Sequence, residues 1–138
     1  MTINPALVTA MKRLFRQKGN PALKMAKRKM LLNCKDDGVM SQALRYFSKV
    51  TLQNAMPVFP ALISMSCEVV GGEAEKTTPF GAAIVMITGA ADLHDDVIDK
   101  SIFKGAKQTV LGKFGPSVAI LAGDTLLVQG LTQLQTAS

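Results

Sequence analysis

The chain has 138 residues, 48% of them hydrophobic, a formal net charge of +6 and no Trp, which is enough apolar material for one sizeable core or for part of a larger one, built from aliphatic residues and eight Met. Cys34 and Cys67 lack the spacing of a zinc or redox motif, and no basic start followed by a long apolar run marks a signal peptide. With no charge-free apolar stretch of about 18 residues to suggest a membrane span, a reduced, cytoplasmic chain is the expectation.

The periodicity is helical almost throughout. Leu7, Met11, Leu14 and Phe15 follow a three/four spacing, and Gly19-Asn20-Pro21 is expected to break that helix. Leu23, Ala26, Met30 and Leu31 form a second helical face with basic residues between them. Most of the Lys and Arg lie in residues 1–53, against only Asp36 and Asp37, whereas the later part holds more acids than bases. Such asymmetry suits a nucleic-acid or anionic membrane surface, or more simply a solvated helix face.

Asp36-Asp37-Gly38 reads as a turn, with Ser41 a candidate cap for a helix whose buried face includes Leu44, Phe47, Val50 and Leu52. Met56-Pro57-Val58-Phe59-Pro60 reads as a breaker, with Pro60 in the first turn of a helix over residues 61–70 that ends at Gly71-Gly72. Thr77-Thr78-Pro79 opens a long helix running to about Asp99. A loop rich in Lys and Gly follows over residues 100–115, and Pro116 starts a last helix through Leu134, in which Gly123 and Gly130 admit a close neighbour. No strand and no repeat is expected, so the fold class is all-α, with roughly six helices. The last helix is apolar on most sides and needs partners on most sides. An incomplete bundle, completed by another chain, is therefore expected.

The chemistry is concentrated at the end of the long helix. Asp95 and Asp99 are one turn apart and share a face with Asp92, while Asp96 is a near neighbour. These carboxylates repel one another and sit where the helix dipole disfavours negative charge. A divalent cation resolves both conflicts, and oxygen donors without a His or Cys set favour Mg²⁺, which completes its shell with phosphate oxygens. The bland alternative is a solvated helix end paired to nearby lysines. Lys100, Lys104, Lys107 and Lys113 follow directly and are expected within reach of an anion held by the metal. His94, the one histidine, lacks companion ligands and is expected to pack or to position others.

The segment IVMITGAADLHDDVID at residues 84–99 resembles the first aspartate-rich helix of the trans-prenyl diphosphate synthases. KQTVLGKFG at 107–115 and AGDTLL at 122–127 resemble the segments that follow it, and PALI at 60–63 with Gly71-Gly72 resembles the helix upstream. The resemblance runs from about residue 40 onwards. Residues 1–40 match only as a basic helical lead-in, and 1–138 reads as a single domain equivalent to the first half of the fold.

In that family an ionised allylic prenyl diphosphate is attacked by isopentenyl diphosphate. The resemblance implies that Asp95 and Asp99 ligate Mg²⁺ with Asp96 supporting, that Lys104 and Lys107 hold the substrate diphosphate, and that Ala90, Ala91 and Asp124 face the cavity. Small residues at 90 and 91 suggest a product longer than the shortest types, or simply alanines packing closely between helices. The sequence departs from the family pattern before Pro60, where Asn54–Phe59 carries no Lys or Arg for isopentenyl diphosphate, and it lacks the second aspartate-rich motif. The expected protein is a small subunit that pairs with a larger prenyl-synthase-like chain and donates the first aspartate cluster. The alternative is a non-catalytic subunit that stabilises a catalytic partner and tunes product length. A basic module for nucleic acid or membrane is a third reading. No nucleic acid is expected as partner, and membrane contact only at the periphery, through the product.

Overall fold

The computed structural model describes residues 4–32 and 34–137. In chain order the elements are α1 (Pro5–Met30), α2 (Val39–Phe47) running into a π-helical turn (Ser48–Leu52), α3 (Val58–Val69), a 3₁₀ turn (Ala74–Thr77), α4 (Thr78–Ile98), the two-residue strands β1 (Phe103–Lys104) and β2 (Lys107–Gln108), α5 (Val110–Phe114) and α6 (Pro116–Gln135). The all-α expectation holds. The count of six helices also holds, but for a different reason. The two N-terminal helices are one, and the loop after α4 contains α5 and an antiparallel hairpin that pairs Phe103 with Gln108.

The expected break at Gly19-Asn20-Pro21 does not occur. α1 starts at Asn4, whose side chain accepts a hydrogen bond from the Ala6 N–H at 2.9 Å, and continues through Pro21 for 26 residues. A proline inside a helix costs roughly 3 kcal/mol through the lost hydrogen bond and the ring clash. Burial of Gly19, Ala22, Leu23, Ala26 and Met30 on one face offsets it. Gly19 is part of that packing: a Cβ there would lie 2.4 Å from the Pro57 carbonyl oxygen.

α4 is the central shaft. It lies along α6 and also packs against α1 and α3. Gly81, Ala82, Ala83, Gly89 and Ala90 bring its backbone close to its neighbours, while Met30, Phe47, Met86, Leu93 and Leu126 are the largest fully buried side chains. α3 begins at Val58, three residues earlier than the prolines suggest, because Pro60 fits within a first turn whose N–H groups are unpaired anyway. It ends as expected, with Gly71 at φ +79° and the Gly72 N–H donating to the Cys67 carbonyl at 2.8 Å. Ser41 lies inside α2, whose cap is Gly38, and its hydroxyl donates to Asp36. Val50 is half-buried, in the π turn at the edge of the core.

α6 is long and apolar enough to cross a membrane by length and composition, although only a third of its apolar window is buried. Asp124 interrupts it midway, and Gly123 and Gly130 seat it against α4. Ile120, Leu121, Leu127, Val128 and Leu131 remain exposed.

Gly19→Ala tests how α1 packs. In an exposed helix the change would stabilise by up to about 1 kcal/mol. Here the clash with backbone is expected to dominate, lowering stability by about 1–3 kcal/mol, read as a lower urea midpoint. A raised midpoint would show that α1 does not sit this close to Pro57.

Candidate functional site

The acids on the last turns of α4 divide into two pairs. Asp92 and Asp96 turn toward the hairpin, where Lys104 Nζ lies 2.5 Å from Asp92 Oδ1 and 2.9 Å from Asp96 Oδ1. Asp96 is 5% exposed. Asp95 and Asp99 are exposed and form no ion pair among the described residues. Asp99 caps the helix, its N–H donating to the Asp95 carbonyl at 2.8 Å, and Lys100 then reverses the chain at φ +54°.

The loop that delivers Lys104 is held by a few polar contacts. Thr109 Oγ1 donates to the Ser101 carbonyl at 2.7 Å and accepts from the Gly112 N–H at 3.0 Å, closing the loop and capping α5. From α2, the Tyr46 hydroxyl donates to the Gln108 carbonyl at 2.9 Å. Lys113 lies 4.2 Å over the Tyr46 ring, so it braces α5 against α2 and does not point toward the aspartates. Lys107 is exposed at the rim of a cavity of about 130 Å³ that Tyr46, Thr51, Asp96, Lys104 and Thr109 also line.

Burial pushes the Asp96 carboxyl above its usual value of 3.8, and the neighbouring Asp92 and Asp95 charges add to this, while the Lys104 hydrogen bond and charge oppose it. Burial works against the Lys104 ammonium as well, but two carboxylates outweigh it and hold its value above 10.5. Both values are raised, for different reasons: Asp96 is almost enclosed, whereas the Lys104 side chain is 50% exposed and serves two partners. The Lys104 contribution to stability is therefore present below the unfolded value and is lost as pH rises through the folded one.

On the other side of Asp92 lies a groove of about 210 Å³ between α1, α3 and α4, lined by Phe47, Leu52, Pro57, Phe59, Val85 and Thr88 among others. No Lys or Arg lines it. Ala90 and Ala91, expected from the resemblance to face the active cavity, do not line this groove. Ala90 is enclosed in the core and Ala91 is exposed, while Thr88, Gly89 and Asp92 line the groove. Helix phase accounts for Ala90, which stands roughly 160° around the helix from Thr88 and Asp92, whereas Ala91 is roughly 60–100° from them on the exposed flank. Asp124 also lies elsewhere. It pairs with His94 at 3.3 Å on the opposite side of α4, and the His94 ring contacts the Ile120 carbonyl at 3.2 Å. His94 thus braces α4 against α6, and a Cβ at Gly123 would collide with its ring at 2.3 Å.

Among the described residues no three His, Cys, Asp or Glu gather into a metal cage. Lys104 occupies the space between Asp92 and Asp96 that a cation would otherwise take. Asp95 and Asp99 still fit Mg²⁺ in its usual manner, as one or two hard carboxylate ligands in a shell completed by water and phosphate oxygens. The residue that sequence reasoning undervalued is Asp92. Its position seven before Asp99 and four before Asp96 was visible, but its commitment to Lys104 depends on the hairpin.

The sequence model of the family described as polyprenyl synthetase matches residues 39–138. A heterodimeric geranylgeranyl pyrophosphate synthase large subunit 1, chloroplastic, from Arabidopsis thaliana is 35% identical over 70% of this chain and 26% of its own length. Geranylgeranyl pyrophosphate synthase 7, chloroplastic, from the same plant is 34% identical over 70% of this chain and 28% of its own. A geranylgeranyl diphosphate synthase of Sulfolobus acidocaldarius is 33% identical over 56% of this chain and 24% of its own. The chain therefore spans about a quarter of the length of these relatives.

Removing the Lys104 ammonium leaves Asp96 enclosed without a counter-charge. Lys104→Ala is expected to lose about 1–2 kcal/mol at neutral pH, toward the low end for a buried pair because Lys104 is half exposed. A carboxyl with a raised folded value favours the fold most when protonated. The loss should therefore shrink as pH falls toward 3.8, and Asp96→Asn in the same chain should recover most of it. Urea midpoints across pH read both effects; a pH-independent loss would contradict the pairing.

Proposed function

The chain belongs to the polyprenyl synthetase family, and on that premise we propose that it is the small subunit of a heteromeric trans-prenyl diphosphate synthase. In this reading it supplies the first aspartate-rich motif for an allylic diphosphate that is elongated with isopentenyl diphosphate. The observation that carries it is the pair Asp95 and Asp99, exposed and without an ion pair among the described residues at the end of the central helix, beside a basic hairpin. Asp95 and Asp99, with Asp96 in support, would hold Mg²⁺. The chemistry Mg²⁺ supplies when bound is stabilisation of charge on the departing diphosphate. Lys107 is positioned to meet that anion, and Lys104 would join it by releasing one of its two carboxylates.

The larger partner is a prenyl-synthase-like subunit. The exposed apolar face of α6, with Ile120, Leu121, Leu127, Val128 and Leu131, is consistent with a surface that such a subunit covers. The Arabidopsis relative, named as a heterodimeric large subunit, supports assembly of this kind in the family. Two observations favour a second reading, in which the chain stabilises a catalytic partner and tunes its product. The groove beside Asp92 has no cation to hold isopentenyl diphosphate, and Lys104 is already engaged.

Purified alone, the chain is expected to show negligible prenyl transfer, and robust activity without a partner would overturn the split-enzyme reading. With the partner present, Asp95→Ala and Asp99→Ala should each lower turnover about 10²-fold or more if the carboxylates act through the metal. Near-normal turnover would assign the supporting role instead.

A further inference from the structure

α1 carries eight basic residues and no acidic one across Pro5–Met30, and it precedes the segment that matches the polyprenyl synthetase family. Its C-terminal half is built into the core from Gly19 onward. Its N-terminal part is not. From Asn4 to Leu14 every residue except Val8 is exposed. Leu7, Met11 and Leu14 stand on one face of this stretch at spacings of four and three, 55%, 47% and 38% exposed. Lys12, Arg13 and Arg16 fall on the remaining faces. Of the α1 bases only Lys18 has a carboxylate partner among the described residues, namely Glu68. The bare apolar stripe and the uncompensated cations therefore belong to the same two to three turns.

We propose that this projecting end of α1 docks the protein on a bilayer surface rich in anionic phospholipid. The stripe would enter the headgroup boundary with the helix lying in the plane, and the flanking cations would pair with lipid phosphates. Charge complementarity selects the partner, since every charged residue of the stretch is basic. The stripe selects a bilayer over a nucleic acid, because phosphate contacts alone gain nothing from exposed Leu and Met. The inference is independent of the catalytic reading, as no residue of this stretch lines the cavity beside Asp96.

Flotation of the full chain with vesicles tests it, comparing phosphatidylcholine alone with phosphatidylcholine containing roughly a third phosphatidylglycerol. Binding is expected only to the anionic vesicles, falling as salt rises. Leu7→Asn with Met11→Asn, and separately Lys12→Gln with Arg13→Gln, should each weaken partition roughly tenfold. Circular dichroism should show the fold intact, because all four positions are exposed. Three results would overturn the proposal. One is no partition onto anionic vesicles. Another is partition that ignores the apolar pair and is matched by equal affinity for duplex DNA, which marks a plain polyanion surface. The last is self-association abolished by the apolar pair without any vesicle binding, which marks a contact between copies.

Discussion

A carboxylate that is almost enclosed needs a counter-charge, and the end of α4 is organised around that requirement. Asp96 is pulled into the packing between α2, the hairpin and α4, and Lys104 is brought over it. The loop after α4 therefore cannot be free to wander. Thr109 closes it, Tyr46 ties it to α2, and the short hairpin sets the direction from which the lysine arrives. The same pairing sorts the aspartate cluster. Asp92 and Asp96 share the one Lys104 ammonium, and Asp95 and Asp99 are left facing solvent without an ion pair among the described residues. An acidic pair that the protein does not satisfy is a pair available to a cation and an anion arriving together.

Behind this site the fold depends on close backbone approach. α4 is lined by Gly and Ala where it meets α1, α3 and α6, so large side chains are needed only at a few positions such as Phe47, Met86 and Leu126. Close-packed interiors respond to single methyl groups, and Gly19 and Gly123 are where this is most acute. Gly123 also links packing to polarity, because the space it leaves is taken by His94, which joins α4 to the Ile120 carbonyl and to Asp124. The far side of α4 is thereby braced while the near side carries the exposed acids.

The two ends of the molecule offer different surfaces. α6 presents aliphatic residues without flanking cations, a surface suited to protein packing. The projecting turns of α1 present an apolar stripe among cations only, a surface suited to a charged boundary. Neither surface requires the other.

Much of this was legible in the residues. The 3.6-residue periodicity, the Gly71-Gly72 stop, the Pro79 and Pro116 starts and the aspartate cluster on one helix face follow from local geometry, and local geometry is written in neighbouring residues. The family resemblance carried by residues 84–99, 107–115 and 122–127 agrees with the match over residues 39–138. What local reasoning misjudged were positions where distant residues outvote near ones. Pro21 is carried through a helix because Ala22, Leu23 and Ala26 gain more from burial than the proline loses. Ala90, Ala91 and Asp124 stand away from the groove beside Asp92, and which side of a helix meets a groove is set by neighbours whose placement no short window contains. The sequence by itself determined that four carboxylates would crowd the end of one apolar helix. Only the tertiary structure decided which two are spent on Lys104 and which two remain exposed, because the partner of a buried charge is set by what packing brings beside it.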